Sequence, residues 1–326
     1  MRIGFAGTFA SSLVERVQSH LSIACDVVVA DETGIVAKLG DLDVLITLGF
    51  TREMGAAARR LRLVQVPGAG LDRIDRAAIP AGAWLANAYG HEVGIAEYVM
   101  GVMLAWTRDL GRLDDALHRG EWLSQWAVGA PAPPVWPELA GKTLGILGYG
   151  RIGRELARRA RAFDMSVLAI RRNLAERDGI VELFGPDALP AVLAAADYLV
   201  VTVPLDAQTR GLLGARELAL MKRTALLVNV ARAEVVDEAA LYAALAARTI
   251  AGAALDVWYR YPTAPGPTFP GRRAFHELPN VLMTPHVSGW TDGMLQARAA
   301  LIAANVARVA RDEPPVNLVA PPGALS

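Results

Sequence analysis

The segment 144–172 constrains the fold more than any other part of the chain. It reads LGILGYGRIGRELARRARAFDMSVLAIRR, which is an apolar strand, a glycine-rich turn, an amphipathic helix and a second apolar strand that ends in two arginines. Strands that alternate with helices form a parallel sheet with the helices packed on it. The segment therefore predicts a βαβ unit of an α/β domain.

The glycines of this turn have the GxGxxG spacing of a dinucleotide-binding loop. The first allows a tight turn, the second keeps side chains away from a pyrophosphate, and the third allows the helix to pack closely on the sheet. Backbone N–H groups at the helix start then bind the phosphates. The alternative is a tight βα turn without a ligand. We predict that the whole loop contacts the cofactor: Gly148, Tyr149, Gly150, Arg151, Ile152 and Gly153.

Two arginines end the second strand of the unit. In an NAD site, an Asp or Glu about 20 residues after the glycines accepts hydrogen bonds from the ribose 2′-OH. Here that position holds Arg171, followed by Arg172. Guanidinium groups match the charge and forked geometry of a phosphate dianion. We therefore predict NADP(H) as the preferred cofactor. NAD(H) stays the alternative, because the basic residues of this chain are nearly all arginine, and two arginines at the end of a surface strand are then ordinary.

Charge and cysteine content exclude several classes of function. The formal net charge is +0, so we expect no basic surface that binds nucleic acid or anionic lipid. Cys25 is the single cysteine, and its apolar surroundings predict a buried thiol without a disulfide. No stretch approaches about 18 consecutive apolar residues, so no membrane span is expected. These features predict a cytoplasmic protein, and we identify no metal site.

Two cycles of alternating strands and helices predict two domains. The first cycle occupies residues 1–97, and the second begins at residue 143. Strands are predicted at 3–6, 27–29, 44–47, 63–66 and 84–86, and at 198–203, 225–230, 251–257 and 281–284. The carboxyl ends of parallel strands meet at one edge of a sheet. Pro204, Ala231, Arg232, Asp256, Pro285 and His286 are therefore expected at a common edge.

A long helical pattern and a tryptophan-rich segment separate the two cycles. We predict one helix from about residue 94 to residue 119. The following segment, 120–142, contains Trp122, Trp126 and Trp136 among several prolines. Prolines exclude a regular element there, and exposed aromatic surface is usually covered. Either a partner subunit covers these side chains, which predicts a homodimer, or they fold back on their own domain.

Seven ordered motifs resemble those of the D-isomer-specific 2-hydroxyacid dehydrogenase family, which includes glyoxylate and hydroxypyruvate reductases. The resemblance implies a flavodoxin-like substrate-binding domain (1–97 and 289–326) and a Rossmann domain (98–288), both doubly wound. The motifs are VPGAGLDRID (66–75), NAYGHEVGIAEY (87–98), GYGRIG (148–153), VPLDAQTRGLL (203–213), NVARAEVVDEAAL (229–241), GAALDVW (252–258) and LPNVLMTPHVSGWT (278–291).

The resemblance implies a role for each of these motifs. Arg232 would bind the substrate carboxylate or polarise its keto oxygen, and His286 would be the acid in reduction and the base in oxidation. Ala69 and Gly70 would hold the carboxylate through backbone N–H groups, and Asp256 would lie near the nicotinamide. Further predicted cofactor contacts are Val203, Pro204, Thr209, Val230, Ala231 and His286, and Tyr261 and Trp290 are predicted to line the substrate site.

Two positions depart from the family pattern. Many members have a glutamate five residues after the aspartate, and this carboxylate pairs with the histidine, whereas Tyr261 holds the position here. A neutral phenol does not stabilise imidazolium as a carboxylate does. We therefore expect a lower pKa for His286 than in such relatives, unless Glu92 or Asp292 replaces the glutamate. The second departure is Ala233, where the family usually has glycine, and the methyl group is strained if φ is positive.

Three functions are compatible with this pattern. The first is an NADP(H)-linked reductase of a small 2-ketoacid, of the glyoxylate or hydroxypyruvate type. The second is a dehydrogenase of the same fold with an unusual substrate, which Tyr261 favours. The third is a dinucleotide-sensing protein without turnover, which would need neither Arg232 nor His286. The segment 259–276 either reshapes the pocket or forms a surface excursion.

Overall fold

The chain folds as two compact units. A computed structural model describes residues 1–129, 135–174 and 179–323. One unit consists of Met1–His91 together with Trp290–Ser326, and the other is Glu92–Gly289. The division of labour between them, substrate binding in the first and dinucleotide binding in the second, stays a prediction.

The first unit is a parallel sheet covered by helices. Its sheet has the order β2-β1-β3-β4-β5, and a C-terminal strand, Leu318–Ala320, pairs antiparallel with β5. The strands are β1 (Arg2–Ala6), β2 (Asp26–Ala30), β3 (Val44–Thr47), β4 (Leu63–Gln65) and β5 (Trp84–Ala86), and the helices are α1 (Thr8–Ser11), α2 (Val14–His20), α3 (Arg52–Ala57) and the C-terminal helix Asp292–Ala310. This strand order is that of a flavodoxin-like sheet.

The second unit contains a seven-stranded parallel sheet. Its order is β8-β7-β6-β9-β10-β11-β12, so the chain reverses direction across the sheet between β6 and β9. The strands are β6 (Thr143–Leu147), β7 (Ser166–Ile170), β8 (Glu182–Phe184), β9 (Tyr198–Val201), β10 (Leu226–Asn229), β11 (Gly252–Leu255) and β12 (Val281–Met283), and the helices are α4 (Glu92–Thr107), α5 (Leu110–His118), α6 (Arg151–Ala162), α7 (Leu189–Ala195), α8 (Ala215–Leu220) and α9 (Glu238–Ala246). This is the Rossmann order with one added strand.

Burial on both faces explains why the central strands of this sheet are apolar throughout. Every residue of β9 and of β10 is buried, which is typical of a parallel strand with helices on both sides. One core contains Met103 of α4 and Leu156 of α6, and the other contains Leu241 of α9. The prediction of an α/β fold with two parallel sheets is confirmed.

The predicted long helix over 94–119 is wrong, because the structure has two helices there. Helix α4 ends at Thr107, and α5 begins at Leu110. Asp109 between them has φ 53°, in the left-handed region, which interrupts a right-handed helix. An apolar periodicity that continues across the break does not reveal such a residue.

Two smaller expectations need revision. The strands β8 and Leu318–Ala320 were not predicted, since each has only three residues. Cys25 is only partly buried, although burial does raise the pKa of its thiol. Among the described residues, no helix is long and apolar enough to cross a membrane.

Candidate functional site

The predicted ligand-facing loops of the second unit lie at one edge of its sheet. The strands β6, β9, β10, β11 and β12 are parallel, so their carboxyl ends point the same way. The glycine turn follows β6, Arg232 follows β10, and His286 follows β12. This edge includes the reversal of strand order between β6 and β9, where open α/β sheets bind ligands.

The three glycines of the turn have different geometrical requirements. Gly148 has φ +110°, and a Cβ there would lie 2.8 Å from the backbone nitrogen of Val203. A Cβ on Gly153 would lie 2.7 Å from the carbonyl oxygen of Gly148, so α6 packs closely against the turn. A Cβ on Gly150 would have no heavy atom within 4 Å. The turn is therefore closely packed at Gly148 and Gly153 and open at Gly150, which fits a pyrophosphate at the start of α6.

Tyr149 lies inside the protein although the loop is at the surface. Its side chain is 1% exposed and belongs to the core between α4 and α6. The guanidinium of Arg154 lies over its ring, 5.6 Å from the centroid. Any contact of Tyr149 with a cofactor is therefore made by its backbone, while Arg151, Ile152 and Gly153 form the first turn of α6.

The two arginines follow β7, the strand beside the glycine turn. The backbone N–H of Arg171 donates to the carbonyl oxygen of Phe184 at 2.9 Å. Arg172 Nη1 donates to Gln208 Oε1 at 3.1 Å and lies 3.2 Å from Asp206 Oδ2. Both arginines therefore lie next to the predicted phosphate-binding turn, and Arg172 is oriented by the loop after β9.

The loop after β9 is held rigid by its own side chains. Thr209 Oγ1 donates to the carbonyl oxygen of Pro204 at 2.7 Å, and it accepts the N–H of Asp206 at 2.8 Å. Asp206 Oδ1 accepts the N–H groups of Gln208 and Thr209 at 2.8 and 2.9 Å. Although partial desolvation opposes them, these hydrogen bonds hold the pKa of Asp206 below its usual value. Thr209 therefore shapes the loop that contains Val203 and Pro204.

The turn that bears Arg232 is fixed by a buried asparagine. Asn229 Oδ1 accepts the N–H of Ala231 at 3.1 Å, and Asn229 Nδ2 donates to the carbonyl oxygen of Arg232 at 3.0 Å. Arg232 Nη1 donates to the carbonyl oxygen of Ala231 at 2.8 Å, which orients the guanidinium. Val230 and Ala231 are buried. Ala233 begins the short helix Ala233–Val235, and its φ is not positive, so its methyl group causes no backbone strain.

A buried carboxylate holds the loop that bears His286. Asp256 is 0% exposed. Its Oδ1 accepts Thr284 Oγ1–H at 2.6 Å and the N–H of Val287 at 2.8 Å, and its Oδ2 accepts the N–H of Ser288 at 2.8 Å. Asp256 thus binds the loop on both sides of His286, so it has a structural function in addition to the predicted contact with the nicotinamide.

Two aromatic side chains hold the same loop at Thr284. The indole Nε1–H of Trp258 donates to the carbonyl oxygen of Thr284 at 2.7 Å. The hydroxyl groups of Tyr98 and Thr284 are 2.7 Å apart. The loop is therefore anchored to α4 and to the segment after β11 before His286 departs from the sheet.

His286 lies in the loop that Asp256, Trp258 and Tyr98 hold, and its side chain contacts Tyr261. It has φ 60°, in the left-handed region, where histidine is uncommon. Its Nδ1 lies 2.7 Å from the hydroxyl oxygen of Tyr261, which also accepts the backbone N–H of Trp258 at 3.4 Å. The structure therefore places the phenol where the family pattern has a carboxylate.

Arg232 belongs to the same electrostatic environment as Tyr261. Burial, the largest cause, raises the pKa of Tyr261, and the charges of Asp256 and Glu234 act in the same direction. The positive charge of Arg232 and the hydrogen bond from Trp258 oppose this rise. The phenol and the imidazole are therefore in contact, and the charge of Arg232, at the same carboxyl edge of the sheet, acts on the phenol.

The first unit holds the remaining predicted residues. Asn87 Nδ2 donates to the carbonyl oxygen of Ala69 at 3.1 Å, which fixes the loop that also contains Gly70. The indole of Trp290 meets the ring of Phe9 edge to face, with centroids 5.5 Å apart. The substrate-binding roles of Ala69, Gly70 and Trp290 stay predictions.

Sequence reasoning missed the residues that position the site. Asn229, Thr284 and Trp258 lie within the quoted motifs, and their types offered a signal, because an amide, a hydroxyl and an indole N–H at strand ends commonly bind loop backbone. Tyr98 gave no such signal, since a tyrosine in an apolar helix is usually a core residue. Its contact with Thr284 arises only from the packing of α4.

The chain matches a known family over most of the second unit. Residues 100–288 match the model of the D-isomer specific 2-hydroxyacid dehydrogenase, NAD binding domain. Glyoxylate reductase from Thermococcus gammatolerans is 36% identical over 293 residues, which are 87% of this chain and 85% of that protein. D-3-phosphoglycerate dehydrogenase from Methanocaldococcus jannaschii is 35% identical over 294 residues, and the match spans 87% of this chain but only 53% of that longer protein.

Solved structures agree with this match. A 2-hydroxyacid dehydrogenase from Ketogulonicigenium vulgare has a TM-score of 0.82 at 27% identity, with 98% of each chain covered. An NADPH-dependent glyoxylate/hydroxypyruvate reductase from Sinorhizobium meliloti, in complex with citrate, has a TM-score of 0.80 at 29% identity, with 98% of this chain and 97% of that chain covered. The chain therefore belongs to the D-isomer specific 2-hydroxyacid dehydrogenase family of NAD(P)-dependent oxidoreductases.

Proposed function

We propose that this protein is an NADP(H)-linked reductase of a small 2-ketoacid of the glyoxylate or hydroxypyruvate type. The observation that carries the proposal is that Arg232, the contacting pair Tyr261–His286 and the open glycine turn lie at the same edge of one sheet, where the charge of Arg232 acts on Tyr261. A protein that only senses a dinucleotide needs the turn but has no use for a guanidinium and an imidazole held beside it.

The glycine turn and the arginines after β7 are the groups that hold the cofactor in this proposal. The start of α6 binds the pyrophosphate, because a helix N-terminus presents N–H donors and a positive dipole. The bound nicotinamide supplies the hydride. The clearance around Gly150 is the structural feature that fits this group.

The protein's own residues bind the ketoacid and move its proton. Arg232 binds the carboxylate or the keto oxygen, because its planar fork offers two parallel donors. His286 delivers a proton to the keto oxygen, with the loop held by Asp256 and Trp258 fixing the ring's position. Proper positioning of reacting groups accounts for a large part of such a rate acceleration.

The preference for NADP(H) rests on Arg171 and Arg172. Both follow the strand beside the glycine turn, and the acid that binds a ribose 2′-OH in NAD sites is replaced there by arginine. Arg172 also lies 3.2 Å from Asp206, and both arginines are assigned to the recognition of the phosphate. The similar reductase from Sinorhizobium meliloti is described as NADPH-dependent.

A second copy of the chain is the proposed partner, in the cytoplasm. Trp122 and Trp126 are 59% and 75% exposed, which supports a covering partner for these two rather than a fold-back on their own domain. Trp136 is partly buried. Residues 130–134 of this segment lie outside the described residues. A Trp126→Ser variant is expected to weaken the dimer in sedimentation equilibrium, and a monomeric wild type would contradict the assignment.

The proposed reaction is tested by following nicotinamide absorbance with glyoxylate, hydroxypyruvate and larger 2-ketoacids, each with NADPH and NADH. We expect turnover with a small ketoacid, a lower KM for NADPH, and a loss of kcat/KM on the order of 100-fold or more in Arg232→Lys and in His286→Gln. Binding of NADPH without turnover of any ketoacid would favour the sensing protein. Turnover of only a larger or differently charged substrate would favour the unusual dehydrogenase.

A further inference from the structure

The hydroxyl group of Tyr261 is joined to two nitrogen atoms. The backbone N–H of Trp258 lies 3.4 Å from the phenol oxygen, and His286 Nδ1 lies 2.7 Å from it. An amide N–H can only donate, so the oxygen accepts the bond from Trp258. The single phenol hydrogen has the lone pair of Nδ1 within hydrogen-bond distance. A chain of donors from Trp258 through Tyr261 to His286 fits both contacts.

The direction is opposite to the one that a carboxylate imposes. An ionised carboxylate only accepts hydrogen bonds, so it binds an imidazole that carries a proton on Nδ1. A phenol that donates to Nδ1 leaves the proton of the neutral ring on Nε2. With the phenol as donor, the neutral imidazole presents an N–H group at Nε2 without being charged.

The surroundings of Tyr261, chiefly its burial, favour the protonated phenol. Burial raises the pKa of the phenol, and Asp256 and Glu234 raise it further. Trp258 and Arg232 are the two groups that stabilise a phenolate there. Asp256 is committed to the loop through three hydrogen bonds. The phenol therefore keeps its proton at neutral pH, and once that proton has left, the phenolate oxygen still accepts the hydrogen bond from Trp258.

We propose that Tyr261 supplies, through the imidazole ring of His286, the proton that the keto oxygen receives. His286 then relays the proton in its neutral form. Tyr261 is the positioning residue, because it fixes the tautomer of the ring and passes its own proton to Nδ1 as Nε2 releases one. The inference rests on the proposed reductase function and adds to it the source of the proton.

The proton balance of the relay closes with one solvent proton. As the carbonyl carbon accepts the hydride, the carbonyl π pair moves to oxygen and bonds to the Nε2 proton, and the Nε2–H pair stays on Nε2 as a lone pair. The Nδ1 lone pair bonds to the phenol proton, and the O–H pair stays on the phenolate oxygen beside Trp258 and Arg232. After the product leaves, the Nδ1 proton returns to the phenolate oxygen and a solvent proton binds Nε2. This restores the resting tautomer, and each reduction consumes one proton from solvent.

The first test reads the tautomer of His286 in the full-length protein without cofactor. The chain has five histidines, so ¹⁵N-labelled histidine gives few signals, and the His286→Gln variant identifies the relevant one. We expect a neutral ring with its proton on Nε2 in the wild type. In Tyr261→Glu the proton should move to Nδ1, and imidazolium should persist to higher pH. A wild-type ring with its proton on Nδ1 would overturn the relay.

The second test compares this NMR titration with the pH profile of kcat/KM for ketoacid reduction. If the neutral ring is the active form, wild-type activity continues above the pKa of His286 measured by NMR. Tyr261→Phe should lose activity about tenfold per pH unit above that pKa, because only imidazolium is then an acid, and should be on the order of 100-fold slower at high pH. A wild-type profile that falls at the pKa of His286 refutes the relay.

A neighbouring tyrosine provides the matched control. Tyr259 donates its hydroxyl to the carbonyl oxygen of Val236 at 2.8 Å, so Tyr259→Phe loosens the same segment without touching His286. Its pH profile should keep the wild-type shape, and a change equal to that of Tyr261→Phe would show a merely structural effect. If the wild type reduces no ketoacid, the proposed function fails and the relay with it, while the NMR result still reports the direction of the hydrogen bond.

Discussion

The replacement Asp256→Asn tests how the His286 loop is held. The carboxylate accepts three hydrogen bonds, two at Oδ1 and one at Oδ2. An asparagine oxygen can keep the pair from Thr284 and Val287, but its NH₂ group then faces the N–H of Ser288. Loss of one charged hydrogen bond, with a buried donor left unsatisfied, costs about 3 kcal/mol. The left-handed φ of His286, which costs roughly 1–2 kcal/mol, is then less well supported.

The expected result is a joint loss of stability and activity. For a unit of this size, about 3 kcal/mol corresponds to a fall in Tm of about 6–12 °C, measured by differential scanning calorimetry. A displacement of His286 by about 1 Å should lower kcat on the order of 100-fold.

Asp197 provides the matched control for this variant. Its carboxylate accepts the N–H of Thr143 and the Nζ–H of Lys222, both at 2.9 Å, at the opposite edge of the same sheet. Asp197→Asn should therefore reduce Tm without a comparable loss of kcat. An unchanged Tm and kcat in Asp256→Asn, or an equal loss of kcat in both variants, would refute the assignment of Asp256 as the clamp of the catalytic loop.

Three further predictions concern the glycine turn, the cofactor and acid stability. Gly150→Ala should keep a free energy of unfolding within about 0.5 kcal/mol of the wild type, but its KM for NADPH should rise at least about tenfold. Gly148→Ala has a positive φ and a backbone clash, so its free energy of unfolding in denaturant titrations should fall by roughly 2 kcal/mol or more. A larger loss of stability in Gly150→Ala than in Gly148→Ala would contradict the geometry. Arg171→Asp should shift the kcat/KM ratio of NADPH to NADH toward NADH by at least about tenfold, and an unchanged ratio would remove the basis for NADP(H). The third prediction concerns Asp197. Burial alone would raise the pKa of its carboxyl group, but hydrogen bonds from Lys222 and Thr143 hold this pKa below its usual value. The carboxylate therefore stabilises the fold above the unfolded-state pKa of about 3.9, and this contribution is lost as pH falls. Asp197→Asn should accordingly lose less stability than the wild type below about pH 4, and equal losses in the two proteins would contradict this direction.

The glycine unit and the alternating strands were sufficient to predict the fold. Parallel strands buried on both faces must be apolar along their whole length, and a left-handed turn at Gly148 requires glycine, so both leave a mark in the sequence. The carboxyl-edge position of Arg232 and His286 followed from the same rule, because parallel strands have no other way to arrange their ends.

The tertiary structure alone decided how the site is held. The break at Asp109, the burial of Tyr149 and the contact between Tyr98 and Thr284 depend on packing between elements distant in sequence. The sequence predicted that Tyr261 replaces a carboxylate, but only the folded chain brings its hydroxyl oxygen to 2.7 Å from His286 Nδ1 and 3.4 Å from the backbone nitrogen of Trp258. The periodicity of apolar residues shows which faces of a strand or helix are buried. The hydrogen-bond partners of a side chain depend instead on which donors and acceptors the folded chain brings together.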